Sequence, residues 1–224
     1  MAQRKPPRRT RERILETALA LFNREGEPNV TTGDIADELN ISPGNLYYHF
    51  RNKDDIIGDL YAALDAKITP LTAVPPDRLP SADDLWLLLH LLFERMWEYR
   101  FFYRDVDEIT SRNRKIAQGF ADFNRRGEAT VIQLCRGMVH AGAMRASDRE
   151  IVAVAQNILM VATYWMSWQR VSGRSPTHDN HAAKTENRLA QAAHQVMALI
   201  APYLQGEARA LIDQLGTEYL DASA

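Results

Sequence analysis

The sequence predicts an all-α protein, and three observations carry that expectation. Apolar residues recur at three- and four-residue spacing through most of the chain, as at Ile14, Leu15, Ala18, Leu21 and Phe22. Helix-start signals recur as well: Thr31 three residues ahead of Asp34, Ser42 ahead of Pro43, and Ser81 ahead of a Trp- and Leu-rich run. Strictly alternating apolar and polar runs, the mark of half-buried strands, are absent, and no repeat of fixed period is found.

Taken in order, the first helix opens at Thr10 and ends near Gly26. EPNV then makes a turn, and Thr31 caps a short second helix whose inner face is Ile35, Ala36 and Leu39. Asn40 tolerates the left-handed backbone that a tight turn needs. Ser42 caps a third helix with Pro43 at its first position, where a missing N–H costs nothing. Asn52 starts a fourth, with Asp54 and Asp55 in the first turn where the helix dipole favours acids, running to about Thr69. PLTAVPPDRLP, with four prolines, is a connection. Ser81 caps the next helix, and further helical patterns lie at about 101–109, 112–125, 126–143, 148–170, 182–203 and 206–219.

Composition narrows the classes. The 224 residues are 46% hydrophobic and 25% charged, an ordinary globular balance. One cysteine, Cys135, excludes an internal disulfide and any Cys-based zinc cluster. No apolar run of signal-peptide type follows the basic start, and no stretch reaches the roughly 18 apolar residues of a membrane span. A cytoplasmic protein without a membrane partner is expected. The net charge of -2 conceals a basic start: residues 1–13 hold six Arg and Lys against Glu12 alone. A positive end on an acidic body suits a localised contact with a polyanion.

SPGNLYYHFRNK, residues 42–53, concentrates that chemistry. Only Leu46 and Phe50 are plain apolar residues four apart; the others suit a short helix that touches a polyanion. Two short helices around Asn40-Ile41-Ser42 have helix-turn-helix spacing, with Ile35, Leu39, Ile41, Leu46 and Phe50 sharing a core with the first helix. TTGDIADELNISPGNLYYHFRNKDDII, preceded by ALALFNREG, resembles the DNA-binding segment of the tetracycline-repressor (TetR) family of bacterial regulators. The match covers roughly residues 10–60, with Asn40 where glycine is more usual.

The resemblance implies a basic flexible arm over 1–9, a helix-turn-helix domain over 10–55, and an effector-binding and dimerisation domain over 56–224. It implies phosphate contacts from Thr32, Tyr47, His49 and Lys53, and base reading by Pro43, Gly44, Asn45 and Tyr48, with Arg4 to Arg13 adding backbone or minor-groove contacts. An Asn amide can pair bidentately with adenine, and an aromatic ring can lie on a thymine methyl. The implied partners are a double-stranded palindromic operator, a second copy of the chain and an unidentified small-molecule effector, with repression the expected sense. Ile151, Ala155, Ile158, Leu159 and Ala162, with Leu189, Ala193, Val196 and Ile200, are expected at the dimer interface. Phe93, Trp97, Phe101, Phe102, Phe120, Phe123, Met138, Tyr164 and Trp168 are expected around an apolar or aromatic effector, with His90, His140, Arg104 and Asp105 as its polar groups.

Neither a cofactor, a catalytic residue nor a metal site is expected. No nucleophile turn, phosphate-cradling glycine loop or paired metal ligands on one helix face is present, and His178 and His181 sit in a polar loop. Two alternatives stand beside the main reading. A DNA-binding regulator without an effector would lack a ligand cavity, and a small helical enzyme would show turnover.

Overall fold

The computed structural model describes residues 7–73, 80–173 and 182–221, with side chains described for 9–73, 80–173 and 191–215. Among them run eleven α-helices: α1 (Pro7–Glu25), α2 (Thr32–Glu38), α3 (Pro43–His49), α4 (Lys53–Ile68), α5 (Ala82–Glu98), α6 (Arg100–Arg104), α7 (Val106–Arg112), α8 (Arg114–His140), α9 (Asp148–Val171), α10 (Ala182–Ile200) and α11 (Gly206–Asp221). Short 3-10 turns occupy Glu27–Asn29, Thr69–Thr72 and Ala201–Tyr203. No strand occurs among the described residues; one antiparallel bridge joins Met144 to Leu204. The all-α expectation holds.

The chain forms two compact units: residues 1–66 with 99–119, and residues 67–98 with 120–224. A single cut after residue 55 is the simplest division on paper. The packing instead cuts the chain three times and assigns α6 and α7 to the N-terminal unit.

That unit is built on α1. Ile14, Ala18, Leu21 and Phe22 are buried as the spacing predicts, as are Ile35 and Ala36 of α2, Leu46 of α3, Phe50 just after it, and Ile56, Ile57 and Leu60 of α4. Phe22 meets Phe101 at 5.2 Å between ring centroids, and Phe102 meets the Tyr61 ring edge-on at 5.6 Å. Asn23, buried in α1, accepts the Phe101 N–H at 3.1 Å, and its own carbonyl accepts Arg104 at 2.8 Å. Arg104 is therefore spent on α1 rather than on a ligand. Burial pushes the Tyr103 hydroxyl pKa far up. Gly119 has no room for a side chain, because a Cβ there would lie 2.6 Å from the Tyr61 ring. These contacts correct the expectation for Phe101 and Phe102. Both rings are core of the N-terminal unit, not lining of an effector cavity in the other.

In the second unit, α10 packs against both α5 and α9. The core is Leu85, Leu89, Phe93 and Met96 from α5, Val131, Leu134, Cys135 and Met138 from α8, Ile151, Val154, Ala155, Ile158 and Ala162 from α9, and Ala193, Val196, Met197 and Ile200 from α10. The expected dimer residues are thus already covered within one chain: Ala155, Val196 and Ile200 are 0% exposed. Leu159 is partly buried, and the Leu189 side chain lies outside the described residues. Tyr164 and Trp168, expected in the effector cavity, are instead 44% and 56% exposed.

The patterns at 112–125 and 126–143 are one helix, α8. Gly127 does not end it; a Cβ there would stand 3.0 Å from a Leu159 methyl, so the glycine lets that leucine approach. Two hydrogen bonds, Arg145 N–H to Tyr203 at 2.8 Å and Gln205 N–H to Ala143 at 2.9 Å, tie the loop after α8 to the one before α11. Cys135 is buried, and burial pushes its thiol pKa up to about 11. By length and composition α9 alone among the described residues could cross a membrane, but one face of it is core here.

Phe101→Ala should destabilise the protein by about 3–5 kcal/mol, the usual cost of deleting a buried aromatic. Urea unfolding followed by helical circular dichroism checks this, and a change below 1 kcal/mol would return Phe101 to a cavity-lining role.

Candidate nucleic-acid interface

A seven-residue helix needs external support; α2 receives it at both ends and α3 at its N-terminus. The Thr31 hydroxyl accepts the Asp34 N–H at 3.2 Å while the Asp34 carboxylate accepts the Thr31 N–H at 2.7 Å, closing the predicted capping box. Those Thr31 donors, the backbone N–H foremost, hold the Asp34 pKa below its ordinary 3.8. At the other end of α2, Asn40 takes φ 53°, left-handed as predicted. Ile41 N–H then reaches the Ala36 carbonyl at 3.0 Å and Asn40 N–H the Asp37 carbonyl at 3.0 Å, a complete Schellman stop. The Ser42 hydroxyl accepts the Asn45 N–H at 3.2 Å, with Pro43 at the first position of α3.

This scaffold buries Leu46 and Phe50 and turns most of α3 outward. Pro43, Gly44 and Asn45 are exposed; Tyr47 is 52% and Tyr48 80% exposed. A Cβ on Gly44 would meet nothing within 4 Å, so the protein's own packing does not demand glycine there. His49 is partly buried, its ring edge-on to Tyr48 at 5.1 Å.

Beside that edge lies an open groove of about 310 Å³, lined by Pro28, Val30, Thr31, Thr32, Tyr47, Arg51, Asn52 and Lys53. Thr32, Tyr47 and Lys53, expected to hold phosphate, meet there; His49 does not line it. The Tyr47 and Thr32 hydroxyls are 3.1 Å apart across the groove. Arg51 is exposed at its rim; the resemblance assigns it no role, although its charge stands in plain view within FRNK. Lys53 faces the groove but is already occupied: its ammonium donates to the Glu27 and Val30 carbonyls at 3.0 and 2.9 Å and stands 2.8 Å from the Glu27 carboxylate. Arg11, expected in the basic arm, lies over the Phe50 ring at 4.9 Å and pairs with Asp59. Residues 1–6 of that arm, and His178 and His181, fall outside the described residues. No group of three metal-ligating side chains occurs among the described residues.

Comparison with known proteins decides the family. Residues 14–60 match the family model described as bacterial regulatory proteins, tetR family, and residues 64–212 match the one described as bacterial transcriptional repressor. The chain belongs to the TetR family. TetR-family proteins are transcription regulators with a helix-turn-helix DNA-binding domain, not enzymes. A TetR-family regulator from Marinobacter aquaeolei VT8 is 32% identical, with a TM-score of 0.82 over 94% of this chain and 98% of that one. AcrR, an HTH-type transcriptional regulator of Shigella flexneri, is 30% identical over 83 residues, 37% of this chain and 38% of AcrR. That match spans well under two thirds of the relative's length. SmeT, the repressor of a multidrug efflux pump of Stenotrophomonas maltophilia, shares the fold at 17% identity, with a TM-score of 0.56 over 88% of this chain and 92% of its own.

Two substitutions separate charge from contact at the groove. Arg51→Ala should flatten the dependence of log K on log salt by about 0.9, the share of one neutralised phosphate. Tyr47→Phe should weaken duplex binding and leave that slope unchanged, because a neutral hydroxyl releases no counterion. Fluorescence anisotropy on a short duplex across a salt series reads both.

Proposed function

We propose that this protein is a ligand-responsive repressor that binds an inverted-repeat operator as a homodimer. The observation that carries the reading is the convergence of Thr32, Tyr47, Arg51 and Lys53 on one groove beside the outward edge Pro43-Gly44-Asn45-Tyr48. The groove suits a phosphate, which fixes register; the edge suits bases, which set sequence. Asn45 pairs with adenine through its amide, Tyr48 lies against a thymine methyl, and Gly44 leaves space for the groove floor. His49 packs its ring edge-on to Tyr48 and is assigned a phosphate contact outside the groove.

One α3 reads too few base pairs for a genomic address, so a second copy is needed. The surface for it is the outward stripe of α9. Met160, Tyr164, Trp168 and Val171 are 57%, 44%, 56% and 78% exposed, at helical spacing on one face. Large apolar side chains in such a row mark an interaction surface. The residues first expected there support the stripe from beneath.

TetR-family regulators are typically ligand-responsive repressors. The effector is placed in the second unit, among Phe93, Trp97, Phe120, Phe123 and Met138, whose aromatic and soft side chains suit an apolar or aromatic molecule. His90, stacked on Trp86 and 3.5 Å from Glu94, and the exposed His140 are left out of that lining. Bound effector lowers operator affinity to the extent that it prefers the non-binding state. The place of action is the cytoplasm, where the operator is.

Selection of bound sequences from a random duplex pool tests the reading. The expected outcome is an inverted repeat whose half-sites lie about 34–36 Å apart or a multiple of that. Asn45→Ala should flatten preference at one base pair per half-site by about 1–3 kcal/mol and spare non-specific affinity. Enrichment without symmetry would refute the dimeric operator. Separately, Met160→Glu with Trp168→Glu should convert a dimer to a monomer in analytical ultracentrifugation without loss of helical signal.

A further inference from the structure

Glu27 is the feature that the mechanism above leaves unexplained. It sits in the 3-10 turn after α1, is 0% exposed, and carries an ionisable carboxylate in the middle of the DNA-binding unit. One oxygen, Oε1, meets two cations: Lys53 Nζ at 2.8 Å and Arg112 Nη2 at 2.6 Å. Both contacts are ion pairs: neither Oε1 nor Oε2 has a hydrogen-bond partner of good geometry among the described residues. Arg112 is held from three sides, with Nη2 on Glu27, Nε 3.3 Å from Asp54 and Nη1 3.8 Å from Glu108. Partial burial opposes its charge, but the Glu27 contact, then Asp54 and Glu108, outweigh it and raise its pKa.

We propose that Arg112 is a positioning residue for DNA phosphate: by sharing the buried Glu27 carboxylate, it keeps the Lys53 ammonium available to the groove. The inference rests on the reading of the groove as a phosphate site. A buried carboxylate with a single cation holds it hard, because attraction is strong where water is excluded. A second, shorter ion pair from Arg112 adds a compensating charge at the same oxygen. The other two Lys53 donations go to neutral backbone carbonyls, weaker acceptors than a phosphate oxygen. With Arg112 in place, Lys53 turns a donor toward an incoming phosphate while Glu27 stays neutralised. With Arg112 removed, Glu27 claims Lys53 alone, and the floor of the groove loses its positive charge. Asp54 and Glu108, 47% and 63% exposed, are screened by solvent and serve to aim the guanidinium.

The test uses the full-length protein and a fluorescein-labelled 40-base-pair duplex of fixed arbitrary sequence, because phosphate contacts are sequence-independent. Anisotropy titrations across a salt series compare wild type with Arg112→Met, Arg112→Lys, Lys53→Met, Glu27→Gln and the Glu27→Gln/Arg112→Met pair. Arg112→Met should weaken binding and flatten the slope of log K against log salt by about 0.9, one phosphate, as Lys53→Met does. Arg112→Lys should recover most of the loss. In the Glu27→Gln background, Arg112→Met should change nothing, since no buried charge remains to claim Lys53. Glu27→Gln alone should bind more tightly than wild type, and that comparison decides the matter even where Arg112→Met fails to fold by circular dichroism. An unchanged slope in folded Arg112→Met, an equal loss in the Glu27→Gln background, or weaker binding by Glu27→Gln would overturn the proposal. Failure of wild type to bind the duplex in dilute salt would instead overturn the phosphate reading beneath it.

Discussion

Seven residues make two turns of helix, too few to persist in water, and α3 has no more than that. Its order is borrowed: from the Ser42 cap, from the Schellman stop at Asn40 that sets its entry, and from Leu46 and Phe50 pressed into the α1 core. Everything the helix presents outward depends on that anchoring, since a fluctuating reader would lose in ordering entropy what it gained in contacts. The division of labour along α3 is strict. Two side chains anchor, and Pro43, Gly44, Asn45, Tyr47 and Tyr48 are left exposed.

The same logic extends to a segment that is distant in sequence. α6 and α7 close the N-terminal unit through Phe101, Phe102 and the Asn23 hydrogen bonds, then deliver Arg112 to the Glu27 carboxylate beside Lys53. The DNA-binding unit is therefore not complete at residue 66. A fragment that stops there would expose the Phe22 face and leave Glu27 with one cation.

Local chemistry was legible in the sequence to the residue. The Thr31–Asp34 box, the left-handed Asn40, the Ser42-Pro43 start and the meeting of Thr32, Tyr47 and Lys53 all follow from short-range rules or from the resemblance. What short-range rules omit is the identity of the covering surface. The α9 stripe through Ile151, Ala155 and Ile158 is apolar at helical period, and periodicity shows that a face is covered but not by which neighbour. The chain's own helices cover it, and the exposed apolar row lies on the opposite face, where Trp168 and Met160 look like ordinary core residues on paper. Phe101 and Phe102 were misplaced for a related reason: position in the chain suggested one unit and the packing chose the other. Glu27 was invisible, because a glutamate in a turn reads as solvated until its burial is seen.

The isolation of Cys135 has a practical consequence. Buried and with its thiol pKa near 11, it offers almost no thiolate near neutral pH and is shielded from reagents. A cysteine introduced at exposed Tyr48 would be the chain's one reactive sulfur. A single fluorophore or spin label could then be placed on the outward side of α3 while Cys135 is kept.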